Sequence, residues 1–192
     1  TEIYRFSIPI EPFTIATGTL HFAQNVLIRV HTDTGIYGVG ECSAFPMIVG
    51  ETQETCLAMA KDFAKIWVGK NPLEIPERMA DLLAYADHNA TIKSAFDMAL
   101  FDIAAKNAKQ PLYQFLRGQL KTIETDMTIG IDTPEGMAIT ALKYKQNGCR
   151  IIKIKLGKEI HEDIERVKQI RAAVGDKMIL RLDANQGWSF DD

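Results

Sequence analysis

The amino-acid sequence predicts an α+β domain followed by the first βα units of a TIM-like barrel. Strand-like segments precede helical segments up to about residue 118, which is the order of an α+β domain. Strand and helix then alternate at a spacing of about 26 residues, as in parallel βα units. A closed βα-barrel takes about 250 residues, and only about 70 follow residue 120. We therefore expect an N-terminal domain over 1–118, an incomplete barrel over 119–192, and a chain that is the N-terminal part of a longer protein.

The composition is that of a soluble globular protein. Of the 192 residues, 46% are hydrophobic and 24% are charged. The net charge is −3, and charged residues of both signs are spread along the chain. This gives no electrostatic reason to expect binding to nucleic acid or to an anionic membrane surface. No apolar run approaches the roughly 20 residues that span a bilayer. The three cysteines are far apart and odd in number, so we expect buried thiols in a reducing cytoplasm rather than disulfides or a zinc site.

Three strands and two loops are expected in the first 50 residues. The strands are predicted at 3–8, 25–32 and 36–42, where β-branched residues concentrate and a turn precedes the third strand. The connection 9–24 is predicted to be a loop, and a loop of that length in a compact domain is often functional. The segment 43–50 is unusually apolar for a loop, so we expect it to pack on the protein or to cover a ligand.

Helical periodicity begins at residue 51. Helices are expected over 51–67, from Pro76 to about residue 85, and over 89–107. The last of these has small residues, among them Ala95 and Ala99, that would let a neighbouring backbone approach closely.

The second region is expected to alternate strands and helices. In chain order these are a strand at 125–131, a helix from 133 to about 147, a strand at 151–156, a helix at 159–174 and a strand at 178–183. The residues of the last helix expected to face the core are Ile160, Ile164, Val167, Ile170 and Val174. A complete doubly wound domain is the rival interpretation, but no βα turn carries a glycine-rich phosphate loop.

Two lysines occur on a predicted buried strand, Lys153 and Lys155. Residues two apart on a strand point to the same face, with α-carbons roughly 6–7 Å apart. Repulsion between two ammonium groups and their desolvation would both lower a lysine pKa, and such a lysine can act as a general base. The alternative is that one or both side chains reach solvent at the end of the strand.

Polar residues also lie where predicted strands end. Asp183 and Asn185 come at the end of the strand 178–183, and in a βα-barrel the active site lies at the carboxyl ends of the strands. A carboxylate there suits Mg²⁺, although a metal site needs at least two further oxygen ligands, and a turn or helix-cap role is equally compatible with Asp183. Thr128 ends an earlier strand and could contact a ligand at the same rim, or it could simply fill the barrel.

Several motifs together resemble a known family. Lys-Ile-Lys at 153–155 is followed about 28 residues later by Leu-Asp-Ala-Asn-Gln-Gly-Trp, and further likeness lies in the helix segment 94–102 and in the loop residues 45–46 and 49–52. With this set the whole chain resembles the enolase superfamily, in its muconate lactonizing enzyme branch, and most of all the dipeptide epimerases. The resemblance implies an enolase-like capping domain followed by a (β/α)7β barrel.

The resemblance also implies an isomerase reaction and roles for individual residues. A Mg²⁺-dependent enzyme would epimerise a small-molecule dipeptide substrate at its C-terminal residue, with Asp183 as the first metal ligand. Lys155 would remove or return the α-proton, Lys153 would help to neutralise the enolate, and a second lysine would act from beyond residue 192. The substrate would contact Thr128, Lys153, Asn185 and the loop that contains Gly18. Family likeness further suggests a homo-oligomer.

The loop around Gly18 bears on the choice of substrate. Epimerases of this type that act on Ala-Glu tend to carry an arginine there, and Gly18 occupies that position. Between residues 6 and 60 the only Lys or Arg is Arg29. We therefore expect a small or apolar dipeptide such as Ala-Ala. The competing functions are a muconate cycloisomerase or o-succinylbenzoate synthase of the same branch, and a non-catalytic domain that binds a ligand at the βα rim.

Overall fold

A computed structural model describes all 192 residues. The chain forms two compact units: residues 1–9 with 22–121, and residues 10–21 with 122–192. Residues 10–21 thus belong with the second unit, which no feature of the sequence had indicated. The boundary placed at residue 118 stays a prediction. None of the helices combines the length and apolar composition needed to cross a bilayer.

The first unit begins with a three-stranded sheet in the order β1-β2-β3. The strands are β1 (Glu2–Ile15), β2 (Gly18–His31) and β3 (Tyr37–Ala44), and β2 pairs antiparallel with β3 from Gln24↔Ala44 to His31↔Tyr37. The three-stranded meander is therefore confirmed.

The loop predicted over 9–24 is wrong, because β1 and β2 continue through it and leave only a two-residue turn. This segment contains two prolines, Pro9 and Pro12. Both lie on β1, which is the edge strand, and an edge strand tolerates proline because some of its N–H groups need no partner.

Four helices follow the sheet: α1 (Pro46–Val49), α2 (Gln53–Ile66), α3 (Ile75–Tyr85) and α4 (Ala90–Asn107), with a short α5 (Leu112–Phe115) after them. The three long helices match the predicted segments. The apolar segment 43–50 is partly helical, and its expected role in covering a ligand stays a prediction. It ends β3 and forms α1, and its side chains Met47, Ile48 and Val49 are exposed.

Strand β3 and helix α4 are in backbone contact. A Cβ added at Gly38 would lie 2.0 Å from the carbonyl oxygen of Ala99, and one added at Gly40 would lie 1.7 Å from that of Ala95. Glycine on the strand and alanine on the helix therefore give the close approach that the small residues of α4 had suggested. Around this contact the core is formed by apolar side chains that include Val26, Ile28, Phe63, Phe96 and Ile103.

The second unit contains a parallel sheet in the order β4-β5-β6, as predicted. Its strands are β4 (Met127–Ile129), β5 (Ile151–Lys155) and β6 (Ile179–Asp183), and its helices are α6 (Pro134–Gln146) and α7 (Ile160–Val174). Thr133 caps α6 by accepting a hydrogen bond from the Gly136 amide, as expected for threonine before a helix. The end of the β1–β2 hairpin joins this unit, where the Ile131 amide donates to the Thr14 carbonyl at 2.8 Å.

The sheet of the second unit has one apolar face and one polar face. The apolar face packs on the two helices through a core that includes Ile129, Met137, Ala141, Ile152, Ile154, Ile170 and Val174. One expectation about α7 is wrong: Ile164 is 45% exposed, whereas Asp163 and Arg166 are buried together with Ile170 and Val174. The buried stripe of α7 therefore starts with an ion pair instead of an apolar side chain.

Candidate active site

The register of the parallel sheet brings the predicted site residues into neighbouring positions. Lys153 on β5 pairs with Thr128 on β4 and with Arg181 on β6. Lys155, two residues nearer the carboxyl end of β5, pairs with Asp183 on β6. Side chains alternate along a strand, and those in register on adjacent strands share a face, so these residues lie on the face opposite the apolar core.

A hydrogen-bonded cluster forms at the carboxyl ends of β5 and β6. The Nζ atoms of Lys153 and Lys155 each lie 2.8 Å from Asp183 Oδ2, and Lys155 Nζ also donates to Asn185 Oδ1 at 2.8 Å. The Asn185 amide donates to Asp183 Oδ1 at 3.0 Å. The side chain of Lys155 is only 10% exposed, and that of Lys153 is 28% exposed. Lys155 therefore does not extend into solvent, which was the alternative for these lysines.

Asp183 carries the negative charge of the cluster. Hydrogen bonds from Lys153 and then Lys155 hold the pKa of this carboxyl well below its usual range, against the opposing effect of burial. Asp183 is therefore ionised at neutral pH. The sequence had suggested two lysines that repel each other in an apolar site, whereas the structure places an ionised carboxylate between them.

Two other predicted residues lie outside this hydrogen-bonded cluster. Thr128 neighbours Lys153 in the sheet and lines a cavity of about 620 Å³ between the end of the β1–β2 hairpin and the β4–α6 segment. Gly18 lies at the start of β2, in the hairpin end that belongs to the same unit, and takes no part in the hydrogen bonds of the cluster.

A divalent cation such as Mg²⁺ needs several hard-oxygen ligands. Nowhere in the chain do three or more His, Cys, Asp or Glu side chains converge in a way that could hold a metal ion. Asp183 has the chemistry that Mg²⁺ requires of a ligand, because it is an ionised hard-oxygen donor at the carboxyl end of a barrel-type strand. The assignment of Asp183 to Mg²⁺ stays a prediction.

Sequence reasoning missed a second polar group beside the cluster. Asp163 accepts hydrogen bonds from the Gly157 amide at 2.7 Å and from Trp188 Nε1 at 2.9 Å, and it pairs with Arg166. The available signal was weak, because an Asp and an Arg three apart on a helix usually form a solvated surface pair. Only the distant partners Gly157 and Trp188 mark the pair as internal.

Comparison with known families agrees with the fold. Residues 1–117 match the N-terminal domain of the mandelate racemase / muconate lactonizing enzyme family, and residues 136–192 match the family described as enolase C-terminal domain-like. The first match alone covers more than half of the chain. The chain belongs to the mandelate racemase / muconate lactonizing enzyme family. The predicted membership of the enolase superfamily is thereby confirmed.

Individual relatives within this family are dipeptide epimerases. The D-Ala-D/L-Ala epimerase of Cytophaga hutchinsonii is 44% identical over 99% of this chain and 52% of the relative. The hydrophobic dipeptide epimerase of Enterococcus faecalis is 40% identical over 95% of this chain and 51% of the relative. The crystal structure of a Cytophaga hutchinsonii dipeptide epimerase, complexed with Mg and D-Ala-L-Val, has a TM-score of 0.96 at 43% identity and covers 98% of this chain and 52% of that one. The chain thus spans about half the length of the relatives it matches.

Proposed function

We propose that this chain contributes one half of the active site of a Mg²⁺-dependent dipeptide epimerase, an isomerase. The observation that supports this proposal most is the cluster of Lys153, Lys155, Asp183 and Asn185 at the carboxyl ends of β5 and β6. Such strand ends carry the active site in TIM-barrel enzymes. The similarity to dipeptide epimerases of two organisms supports the same reaction.

Lys155 is the group that we assign to the α-proton of the dipeptide's C-terminal residue. An α-proton beside a carboxylate is very weakly acidic, so its removal needs strong stabilisation of the charge that develops. The Nζ atom of Lys155 is fixed by two hydrogen bonds and largely shielded from water, which suits proton transfer at a defined position. Lys153, on the same face, supplies positive charge to the enolate. Inversion also needs a proton donor on the opposite face, and family resemblance assigns that role to a lysine beyond residue 192.

Asp183 is the residue that we assign to Mg²⁺. When bound, Mg²⁺ supplies Lewis-acid stabilisation of negative charge on the substrate's carboxylate. Thr128 and Asn185 are assigned to substrate contacts, because one is the sheet neighbour of Lys153 and the other bonds Lys155 directly.

The reaction can be tested with the full-length protein that carries this sequence. We expect Mg²⁺-dependent incorporation of one α-deuterium when the protein is incubated with a dipeptide library in D₂O and the products are analysed by mass spectrometry. Chelation of Mg²⁺ should abolish the exchange, and adding Mg²⁺ back should restore the exchange. Absence of exchange in every dipeptide would contradict the proposal and favour the cycloisomerase or o-succinylbenzoate synthase alternatives.

The substrate is proposed to be a small or apolar dipeptide such as Ala-Ala. The hairpin end has no arginine or lysine to pair with an acidic side chain, since Gly18 occupies the position where Ala-Glu epimerases tend to have arginine. We expect kcat/KM for Ala-Ala to exceed that for Ala-Glu by at least about tenfold, the equivalent of roughly 1.4 kcal/mol. Gly18→Arg should lower the ratio of kcat/KM for Ala-Ala to kcat/KM for Ala-Glu, or reverse the preference. Gly18→Gln provides the uncharged control. Faster turnover of Ala-Glu by the unsubstituted protein would contradict the proposed specificity.

A further inference from the structure

Asp163 and Arg166 form a buried ion pair near the start of α7. Their side chains are 1% and 6% exposed, and Arg166 Nη1 donates to Asp163 Oδ1 at 2.8 Å. An acidic residue in the first turn of a helix is stabilised by the helix dipole without any need for burial. Burying both charges removes their hydration, and apolar replacements of such pairs are often neutral or stabilising. Helix stability alone therefore does not account for the pair.

The hydrogen bonds of the pair reach the segments that follow all three parallel strands. Asp163 Oδ2 accepts from the amide of Gly157, after β5, and from Nε1 of Trp188, after β6. Arg166 Nε donates to the carbonyl oxygen of Asp132, after β4, at 2.8 Å. A single buried pair thus fixes the three βα loops on whose strands the candidate site residues lie.

The loops after β5 and β6 also touch directly. A Cβ added at Gly187 would lie 1.9 Å from the Gly157 carbonyl oxygen, and one added at Gly157 would lie 2.1 Å from that of Ala184. Asn185 and Gln186 have φ angles of 45° and 65°, a left-handed conformation that non-glycine residues adopt at a cost. Surrounding contacts must hold this conformation, so a displacement of Gly157 would be transmitted to the segment that carries Asn185.

We propose that Asp163, supported by Arg166, is a positioning residue for proton transfer by Lys155. It contacts neither lysine of the cluster and acts through the backbone, by fixing the loops after β5 and β6. Those loops hold Asn185 against Lys155 and set where Lys155 Nζ lies relative to Asp183. This inference rests on the proposed function, since it assigns a role in the same reaction.

The test uses the full-length protein with Mg²⁺ and Ala-Ala. Trp188→Phe keeps an aromatic ring but removes one hydrogen bond to Asp163, and we expect kcat for α-proton exchange to fall by about tenfold with KM changed by less than about threefold. Asp163→Asn replaces the buried carboxylate by a neutral amide and leaves Glu162 as the only carboxylate partner of Arg166, and we expect kcat to fall by about 100-fold. Glu165→Gln is the matched control, because this exposed carboxylate on α7 bonds only Gln169, and it should leave kcat unchanged.

Rates are compared per folded molecule, well below each variant's melting temperature. If the role of the pair were purely structural, the substitutions would lower the melting temperature and leave kcat within about twofold of the unsubstituted value. That result would overturn the inference. A rise in KM at unchanged kcat would overturn it as well. If Asp163→Asn does not fold, the kcat and KM of Trp188→Phe decide whether the inference holds. If the unsubstituted protein exchanges no dipeptide, the proposed function itself fails, whereas normal exchange in the parent and in both variants would refute only the positioning role.

Discussion

Substitution of Lys155 by alanine in the full-length protein is expected to lower the rate of α-proton exchange by about 10³-fold, within the range that a general base contributes. The side chain of Lys155 is less exposed than that of Lys153, and its Nζ atom is held by two hydrogen bonds. Asp183 would keep Lys153 as a partner, so the variant should still fold. The measurement is deuterium incorporation into Ala-Ala in D₂O, followed by mass spectrometry.

Two further variants separate proton transfer from charge. Lys155→Arg preserves a positive charge but cannot release a proton near neutral pH, so we expect it to be nearly as inactive as Lys155→Ala. Lys158→Ala removes an exposed lysine from the loop that follows the same strand and should exchange at the unsubstituted rate. Exchange within about tenfold of normal in Lys155→Ala would refute the assignment of this lysine as a base.

The candidate site was predictable to the extent that local sequence encodes it. Strand periodicity placed Lys153 and Lys155 on one face, and strand-end position singled out Asp183. The sequence did not reveal that Asp183 lies between the two lysines, because that depends on the register Lys155↔Asp183 across 28 residues. Parallel strands are joined by a long crossover connection, so local sequence does not show which residues of the two strands pair.

The errors of the sequence analysis share a physical origin. The segment 9–24 was predicted to be a loop, and its two prolines are acceptable within a strand only because β1 lies at the sheet edge. Likewise, Ile164 was assigned to the core and Asp163 was overlooked. A buried carboxylate becomes acceptable only when its partners are present, and here Gly157 and Trp188 come from the loops on either side of the helix. Tertiary context overrode the local pattern in both cases.

Gly40→Ala is expected to cause the largest loss of stability of any single methyl addition in the first unit. The new Cβ would lie 1.7 Å from the Ala95 carbonyl oxygen and 2.7 Å from its carbonyl carbon. Both are backbone atoms of α4, so no side-chain rotation can relieve the overlap, and either β3 or α4 must move. Overpacking of a core costs typically 1–3 kcal/mol, and we expect the free energy of unfolding to fall by about 3 kcal/mol or more.

The comparison that isolates this steric effect is Gly35→Ala, in the turn just before β3. Gly35 has a φ of 82°, and no atom lies within 4 Å of an added Cβ. Alanine at this position therefore causes backbone strain without a steric clash, at a cost of roughly 1–2 kcal/mol. Thermal and urea unfolding of the full-length variants, followed by circular dichroism, should therefore rank Gly40→Ala well below Gly35→Ala in stability. Equal stability of the two variants would mean that β3 and α4 can separate at little cost. The backbone contact would then not be what holds this sheet against its central helix.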